Sequence, residues 1–347
     1  MLLRTNGCYN KEAISQINRR YTMKVEQAIQ QVNRDYFVLQ ENGKMLPNTT
    51  STKAIKKHLQ FLEIREGDRV LEIGTGSGYS TALIAELIGQ SGKVTSIDID
   101  PAITERAKSK LSSYAQIECI IGDGREGYQS NAPYNRVIAW TSTEYLPDSW
   151  GRQLAEAGFI VAPFRILTIA DSMVMVRLKK DSGNLKGDRV EEGSYIPMTS
   201  EPVVNFFGHE VFAELVGEGE HPYWASSHWM KKTSTEKWEE KILQSTIKSS
   251  PFEPIGEDVR AFLLTKNPDG LTTAFHLNTG FWIGYSSPNG FALLSYDENK
   301  WVVSDDQHAK VLSDWINHWE RLGKPSYEHL EPIIVNKKIS LKFKGGI

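Results

Sequence analysis

The chain has 347 residues, 40% of them apolar and 24% charged, with a net charge of −3. This is the composition of an ordinary globular protein of one large or two modest domains. The near-neutral balance, without a long basic block, argues against nucleic acid as a partner. No apolar run approaches the roughly 18 residues that span a bilayer, so no membrane partner is expected.

Residues 12–35 carry apolar positions at helical spacing, with Val25, Ala28, Ile29 and Val32 on one face. From Arg69 the pattern changes to strands alternating with helices. RVLEI (69–73) predicts a strand and STALIAELIG (80–89) a helix; KVTSIDI (93–99) is a second strand. Asp100 and Pro101 suit the N-cap and first turn of the helix PAITERAKSKL. IECII (117–121) and RVIAW (136–140) are the third and fourth strands. LPDSWGRQLAEAG predicts a helix opened by Pro147 and closed by Gly158, and FIVAPF (159–164) a fifth strand. TIADSMVMVRL (168–178) predicts an antiparallel edge strand. The polar stretch 179–194 reads as a loop or hairpin tip, and YIPM (195–198) as the last strand of a first domain. The fold class expected is α/β, a doubly wound Rossmann-like parallel sheet. The two cysteines, Cys8 and Cys119, make no disulfide framework or zinc pattern; Cys119 reads as core.

Beyond about residue 200 the character changes. Seven of the nine tryptophans lie there: Trp224, Trp229, Trp238, Trp282, Trp301, Trp315 and Trp319. VRAFLL, TTAFHL, FWIGYSS, GFALLSY and KWVVSD predict strands, followed by the helix HAKVLSDWINHWERLG, which Asp305 and Asp306 would cap. The expected division is residues 1–200, with an N-terminal helical segment, and residues 201–347, a smaller α+β domain. The Trp315–His318–Trp319 face of that last helix reads as core before it reads as a peptide-binding surface.

The stretch VLEIGTGSGYS at 70–80 carries the chemistry. A strand, a glycine turn and a helix bring free backbone N–H groups to one crevice of a sheet. A nucleoside triphosphate would call for GxxxxGK[ST], and a dinucleotide for GxGxxG. Here Gly74 and Gly76 are followed by Gly78 and Tyr79, which leaves S-adenosylmethionine. Asp98 at the end of the second strand suits two ribose hydroxyls. Asp123 in GDG (122–124) suits an adenine amino group, with Gly124 allowing the base to approach. The alternative is that both acids merely cap the next turn.

VLEIGTGSGYSTALIA, GDGREGY and APYNRVIAWTSTEYLPDSWGRQLAEAGFIVAPF resemble the protein-L-isoaspartate O-methyltransferases over roughly residues 25–200. VEQAIQQVNRDYFV resembles that family's opening segment, with Asn33 where a proline is usual. The resemblance implies S-adenosyl-L-methionine as cofactor, held by Gly74, Gly76, Asp98, Asp123 and Gly124 together with Glu72, Thr75, Ser77 and Ile99. It also implies methylation of a carboxylate whose ester closes to a succinimide. The departure lies just upstream: the family's Thr-Ile-Ser-Gln-Pro-like stretch is replaced by PNTTSTKAIKKHL. Thr50 and Ser51 are the hydroxyls expected to orient the attacking oxygen, and a helix cap is the plainer role for the same stretch. A carboxylate is ionised at neutral pH, so no strong base and no metal are expected. His58, the nearest histidine, lies on a lysine-rich helix start.

The segment from GFWIGYSS to WERLGKP resembles the C-terminal extension of longer, peptide-modifying relatives. The favoured expectation is therefore a cytoplasmic carboxyl O-methyltransferase with a dedicated peptide substrate, and general repair of isoaspartyl protein is the alternative. A small-molecule methyltransferase and a cofactor-binding protein without catalysis are the remaining readings.

Overall fold

In the computed structural model of this chain, residues 22–199, 213–214, 224–253, 255–276, 278–296 and 298–346 are described. Cys8, the first part of the expected 12–35 helix and the expected domain boundary lie outside the described residues.

Helices α1 (22–31), α2 (Arg34–Val38) and α3 (Thr52–Leu62) lead into the first sheet. Asn33 and Ser51 each accept a backbone N–H of the helix they precede, the usual remedy for the unpaired donors of a first turn. The chain then alternates through β1 (Arg69–Ile73), α4 (Tyr79–Ile88), β2 (Lys93–Asp98), α5 (Pro101–Lys110), β3 (Ile117–Ile121), β4 (Tyr134–Ala139), α6 (Asp148–Gln153), β5 (Leu154–Arg165), β6 (Met173–Asp181) and β7 (Asn184–Glu191). The sheet order is β3-β2-β1-β4-β5-β6-β7. Strands β1 to β5 are parallel, β6 runs antiparallel to β5, and β7 runs antiparallel to β6. Strand order reverses between β1 and β4, which opens a crevice at their carboxyl ends. Because side chains alternate along a strand, Leu71 and Ile73 enter one apolar cluster while Val70 enters the other.

A second seven-stranded sheet is built from β8 (Ala213–Glu214), β9 (Trp224–Ser227), β10 (Ile247–Ser249), β11 (Leu271–His276), β12 (Gly280–Ser287), β13 (Gly290–Ser295) and β14 (Lys300–Val303). Its order is β10-β14-β13-β12-β11-β9-β8, antiparallel throughout. Helices α7 (Glu236–Leu243), α8 (Gly256–Lys266) and α9 (Asp306–Arg321) and the hairpin β15 (Leu330–Val335)–β16 (Lys338–Phe343) complete this half. Trp282, Phe291 and Leu293 pack with Trp238 of α7 in a core of their own. Their neighbours Ile283, Ala292 and Leu294 face the other way, into a cluster that also holds Leu71, Ile73 and Phe164 of the first sheet. The two halves therefore share apolar contact.

At this seam Arg260 of α8 is 2% exposed. It pairs with Asp171 at 3.1 Å and donates to Tyr327 Oη at 2.7 Å and to the carbonyls of Asp171 and Met173 at 2.9 and 2.8 Å. The Tyr296 hydroxyl donates to the other Asp171 oxygen at 2.6 Å. The hairpin closes against the first sheet at Gly187 of β7, where a Cβ would lie 1.7 Å from the Pro332 carbonyl oxygen.

Several elements differ from the sequence expectations. The helix opened by Pro147 ends at Gln153, not Gly158. LAEAG joins β5 instead, because Leu154 pairs with Tyr134 of β4 and sheet pairing overrides the helix propensity of Ala and Glu. VRAFLL is the middle of α8, not a strand; all six residues are buried, so the run shows no period that separates the two. Residues 168–172 are not strand, and β6 is interior because β7 forms the edge. Ser182 and Gly183, with φ of +52° and +79°, make the two-residue turn that turns the polar stretch into a hairpin. YIPM makes a single bridge, Ser142 to Pro197, rather than a strand. On α9, Trp319 is buried, Trp315 stacks edge-on to Tyr285 and His318 is exposed beside Phe262. Asp305 caps that helix by accepting from His308 N at 3.0 Å.

Candidate active site

A cleft of about 800 Å³ opens at the carboxyl ends of β1, β2 and β4. Its floor is the turn after β1. Gly74, Gly76 and Gly78 all have positive φ, at +92°, +52° and +83°, the region where only glycine is unstrained. A Cβ on Gly74 would press on Trp140 Cβ at 3.4 Å, whereas the space above Gly76 is open. The cleft brings together Thr50, Ser51, Gly74, Thr75, Gly76, Ser77, Asp98, Ile99 and Gly124 from the sequence-derived set.

Asp98 is the acid of this floor. One oxygen accepts from Gly76 N at 2.9 Å and the other from Asp100 N at 3.1 Å. Burial pushes its carboxyl above the usual range, against the backbone hydrogen bonds, which lower it. A carboxylate has about four lone-pair sites, so capacity for further donors remains on the side that lines the cleft.

Two residues of the set lie elsewhere. Glu72 does not line the cleft; it is fully buried beneath the turn and accepts from Ser80 Oγ (2.6 Å), Thr81 Oγ1 (2.5 Å), Ser96 Oγ (2.7 Å) and Trp140 Nε1 (2.8 Å). Burial pushes its carboxyl up, opposed by those four donors. It ties β1, α4, β2 and the end of β4 together and thereby sets the shape of the turn. Asp123 also lies off the cleft. Its carboxylate accepts from Arg125 N and Arg125 Nε at 2.9 Å, and that bond to Arg125 holds it below the usual range. It caps the 3-10 turn Gly124–Glu126. Gly124 lines the cleft, and a Cβ there would meet Ile73 at 2.3 Å, so packing against β1 already requires glycine.

The hydroxyl stretch divides its work. Thr49 donates to the Leu46 carbonyl at 2.7 Å, and Ser51 caps α3 by accepting from Ala54 N at 3.2 Å. Thr50 and Ser51 line the cleft with Lys53, and Lys53 is exposed.

The tertiary structure adds residues to which sequence reasoning assigns no role in the site. Trp140 and Thr141 follow β4 into the crevice; their place after the fourth strand at the switch point was the available signal. The Thr141 Oγ1 atom is buried and has no hydrogen-bond partner. His58 lies one turn beyond Ile55 and two beyond Ser51, on the same face of α3, and is 2% exposed. A strap, Glu192–Thr199, lines the cleft. It is held to the post-β4 loop by Ser142 N to Ile196 O at 2.8 Å and Met198 N to Ser142 O at 2.7 Å. Tyr195 on this strap meets His58, 137 positions away in the chain, a contact that no local pattern announces. Among the described residues no cluster of metal-ligating side chains and no membrane-length apolar helix occurs.

Residues 10–202 match the family model described as protein-L-isoaspartate(D-aspartate) O-methyltransferase. Among curated proteins, a protein-L-isoaspartate O-methyltransferase of Methanococcus maripaludis is 36% identical over 142 residues, which cover 40% of this chain and 65% of that protein. Protein-L-isoaspartate O-methyltransferase 2 of Archaeoglobus fulgidus is 36% identical over 146 residues, 41% of this chain and 64% of its own. The match thus spans just under two thirds of these relatives. A solved protein-L-isoaspartate O-methyltransferase shares the fold with a TM-score of 0.50 at 17% identity, over 96% of this chain and 100% of that one. Since the family model takes in more than half of the 347 residues, the chain belongs to the protein-L-isoaspartate(D-aspartate) O-methyltransferase family.

Proposed function

We propose that this chain is an S-adenosylmethionine-dependent O-methyltransferase that esterifies the carboxylate of an aspartyl or isoaspartyl residue in a peptide or protein. The observation that carries the reading is Asp98 at the end of β2, desolvated and bonded to the glycine turn through Gly76 N. In this family that pairing suits a nucleoside lying across the turn, with its ribose hydroxyls donating to Asp98. When bound, S-adenosylmethionine supplies an activated methyl group for in-line displacement by oxygen. Gly74 to Ser77 would hold the methionine portion, and Ile99 and Gly124 the base.

The protein's own share is mainly alignment, where effective molarities on the order of 10⁵ M are available. Thr50 and Ser51 orient the carboxylate oxygen, and Lys53 adds positive charge at the wall that receives it. A carboxylate needs no proton removed. His58 agrees with this: burial drives its pKa down to about 4, so it is neutral at pH 7, and both its nitrogens are engaged.

Within this activity we favour a dedicated peptide substrate. The replaced 48–52 stretch and the additional C-terminal half, whose sheet shares a core with the methyltransferase sheet, both support it. Calorimetry with S-adenosylhomocysteine tests the cofactor site. Labelled-methyl transfer to a generic isoaspartyl peptide, set against a short acidic peptide encoded next to the gene, tests the substrate. Fast turnover of the generic peptide alone returns the general-repair reading; no binding of S-adenosylhomocysteine removes both.

A further inference from the structure

Tyr195 and His58 form a closed chain of hydrogen bonds on the wall of the cleft. His58 Nε2 lies 3.1 Å from the Glu192 carbonyl oxygen, and His58 Nδ1 lies 2.5 Å from the Tyr195 hydroxyl. A carbonyl only accepts, so Nε2 carries the imidazole proton. Nδ1 is then the bare nitrogen, and the Tyr195 O–H donates to it. The tyrosine proton is thereby committed inward, and only oxygen lone pairs remain for the cleft that Tyr195 lines.

The surroundings hold this arrangement in place. The Tyr195 ring packs against His58 and Trp140 at 5.6 and 6.0 Å between centroids. Trp140 is itself fixed by its bond to Glu72. Gly193 lets the strap lie close against β6, since a Cβ there would sit 3.1 Å from Met175 Cβ. Burial keeps the imidazole neutral and pushes the Tyr195 phenol above its ordinary value, so neither proton leaves at neutral pH.

Resting on the methyltransferase reading, we propose that Tyr195 determines specificity by accepting a hydrogen bond from a backbone N–H of the peptide substrate. A phenol that can only accept gives nothing to a carboxylate oxygen and rewards an amide donor. It therefore sets the peptide's direction in the cleft and rejects a residue without an N–H at that position. The position of Tyr195 favours the peptide over the cofactor. It is held by α3, the helix that begins at the Thr50–Ser51 hydroxyls, whereas Asp98 and the glycine turn serve the nucleoside.

The test is a scan of one methylatable peptide in which each backbone amide near the target residue is N-methylated in turn. With the unaltered enzyme, one position is expected to lose roughly 5- to 10-fold in kcat/KM, the size of one neutral hydrogen bond. In Tyr195→Phe the parent peptide should show a KM raised by a similar factor at unchanged kcat, and the N-methyl penalty at that position should vanish. A ¹⁵N spectrum should show His58 as the Nε2–H tautomer at neutral pH. Equal N-methyl profiles for the two enzymes, no sensitive amide with the unaltered enzyme, or a loss of S-adenosylhomocysteine affinity in Tyr195→Phe would each overturn the assignment. Failure of the methyltransferase reading looks different, since the unaltered enzyme would then methylate none of the peptides.

Discussion

The seam at Arg260 and the cleft at Asp98 are both polar groups buried between sheet elements, yet they are built to opposite ends. At the seam the arrangement is closed: Arg260, Asp171, Tyr296 and Tyr327 bond to one another and to two carbonyls. At the cleft it is open: Asp98 keeps acceptor capacity on a lining face, Thr141 Oγ1 has no partner, and Tyr195 bonds inward to His58. Burial alone therefore does not mark a site. A desolvated polar group left incomplete is costly unless something completes it, and Asp98 and Thr141 both line the cleft.

This contrast can be broken most sharply at the seam. Arg260→Ala leaves Asp171 buried without its cation and should cost about 3–5 kcal/mol in urea unfolding. S-adenosylhomocysteine affinity, measured below the unfolding transition, should stay the same. A cost under about 1 kcal/mol would mean that the seam is not closed as described.

Next in size is the pH response of His58. Its pKa is lowered to about 4 in the folded chain, against about 6.5 for an unfolded histidine. Below pH 6.5 the unfolded chain takes up a proton that the folded chain refuses. The stability tied to neutral His58 is therefore complete above pH 6.5 and lost as pH falls towards 4, by about 3 kcal/mol in all. Carboxylates titrate in the same window, so the measurement is the difference in unfolding free energy between the unaltered chain and His58→Gln at pH 7 and at pH 4.5. Parallel curves would refute it.

Asp98→Ala addresses the open end. Loss of charge-assisted hydrogen bonds of about 1.5–3 kcal/mol predicts roughly 10- to 100-fold weaker binding of S-adenosylhomocysteine by calorimetry. Binding left unaltered would remove Asp98 from the nucleoside site. The smallest change is Thr141→Val. Since the buried hydroxyl has no partner, its removal should leave stability unchanged or raise it by about 1 kcal/mol, while methyl transfer falls several-fold if the ligand supplies the missing bond. A large stability loss with full activity would reverse that assignment.

Much of the first sheet is legible in the chain because its strands and helices obey short periods. RVLEI, KVTSID and IECII alternate or run apolar between breakers, and Asp100–Pro101 announces α5. Failures occur where a distant partner overrules a local preference. LAEAG has helical composition but becomes strand beside β4. VRAFLL is apolar throughout and becomes the buried helix α8. Within the site, the glycine turn and Asp98 are visible because a turn that needs positive φ admits few residues. Glu72 stands in the same motif, yet only its four donors reveal that it shapes the turn from beneath, away from the cleft. Asp123 is likewise seen to bond Arg125 only once Arg125 is in place.

The sequence by itself determined the parallel sheet, the bare turn after β1 and the acid after β2, since each depends on backbone geometry and residues close in the chain. Only the tertiary structure decided which buried polar groups are completed and which face the cleft. That outcome depends on partners from remote segments: His58 of α3 meets Tyr195 of the strap, and Asp171 meets Arg260 across the seam. Hydrogen bonds reach about 3 Å, so their pairing is settled by packing of the whole chain, beyond the reach of any local pattern.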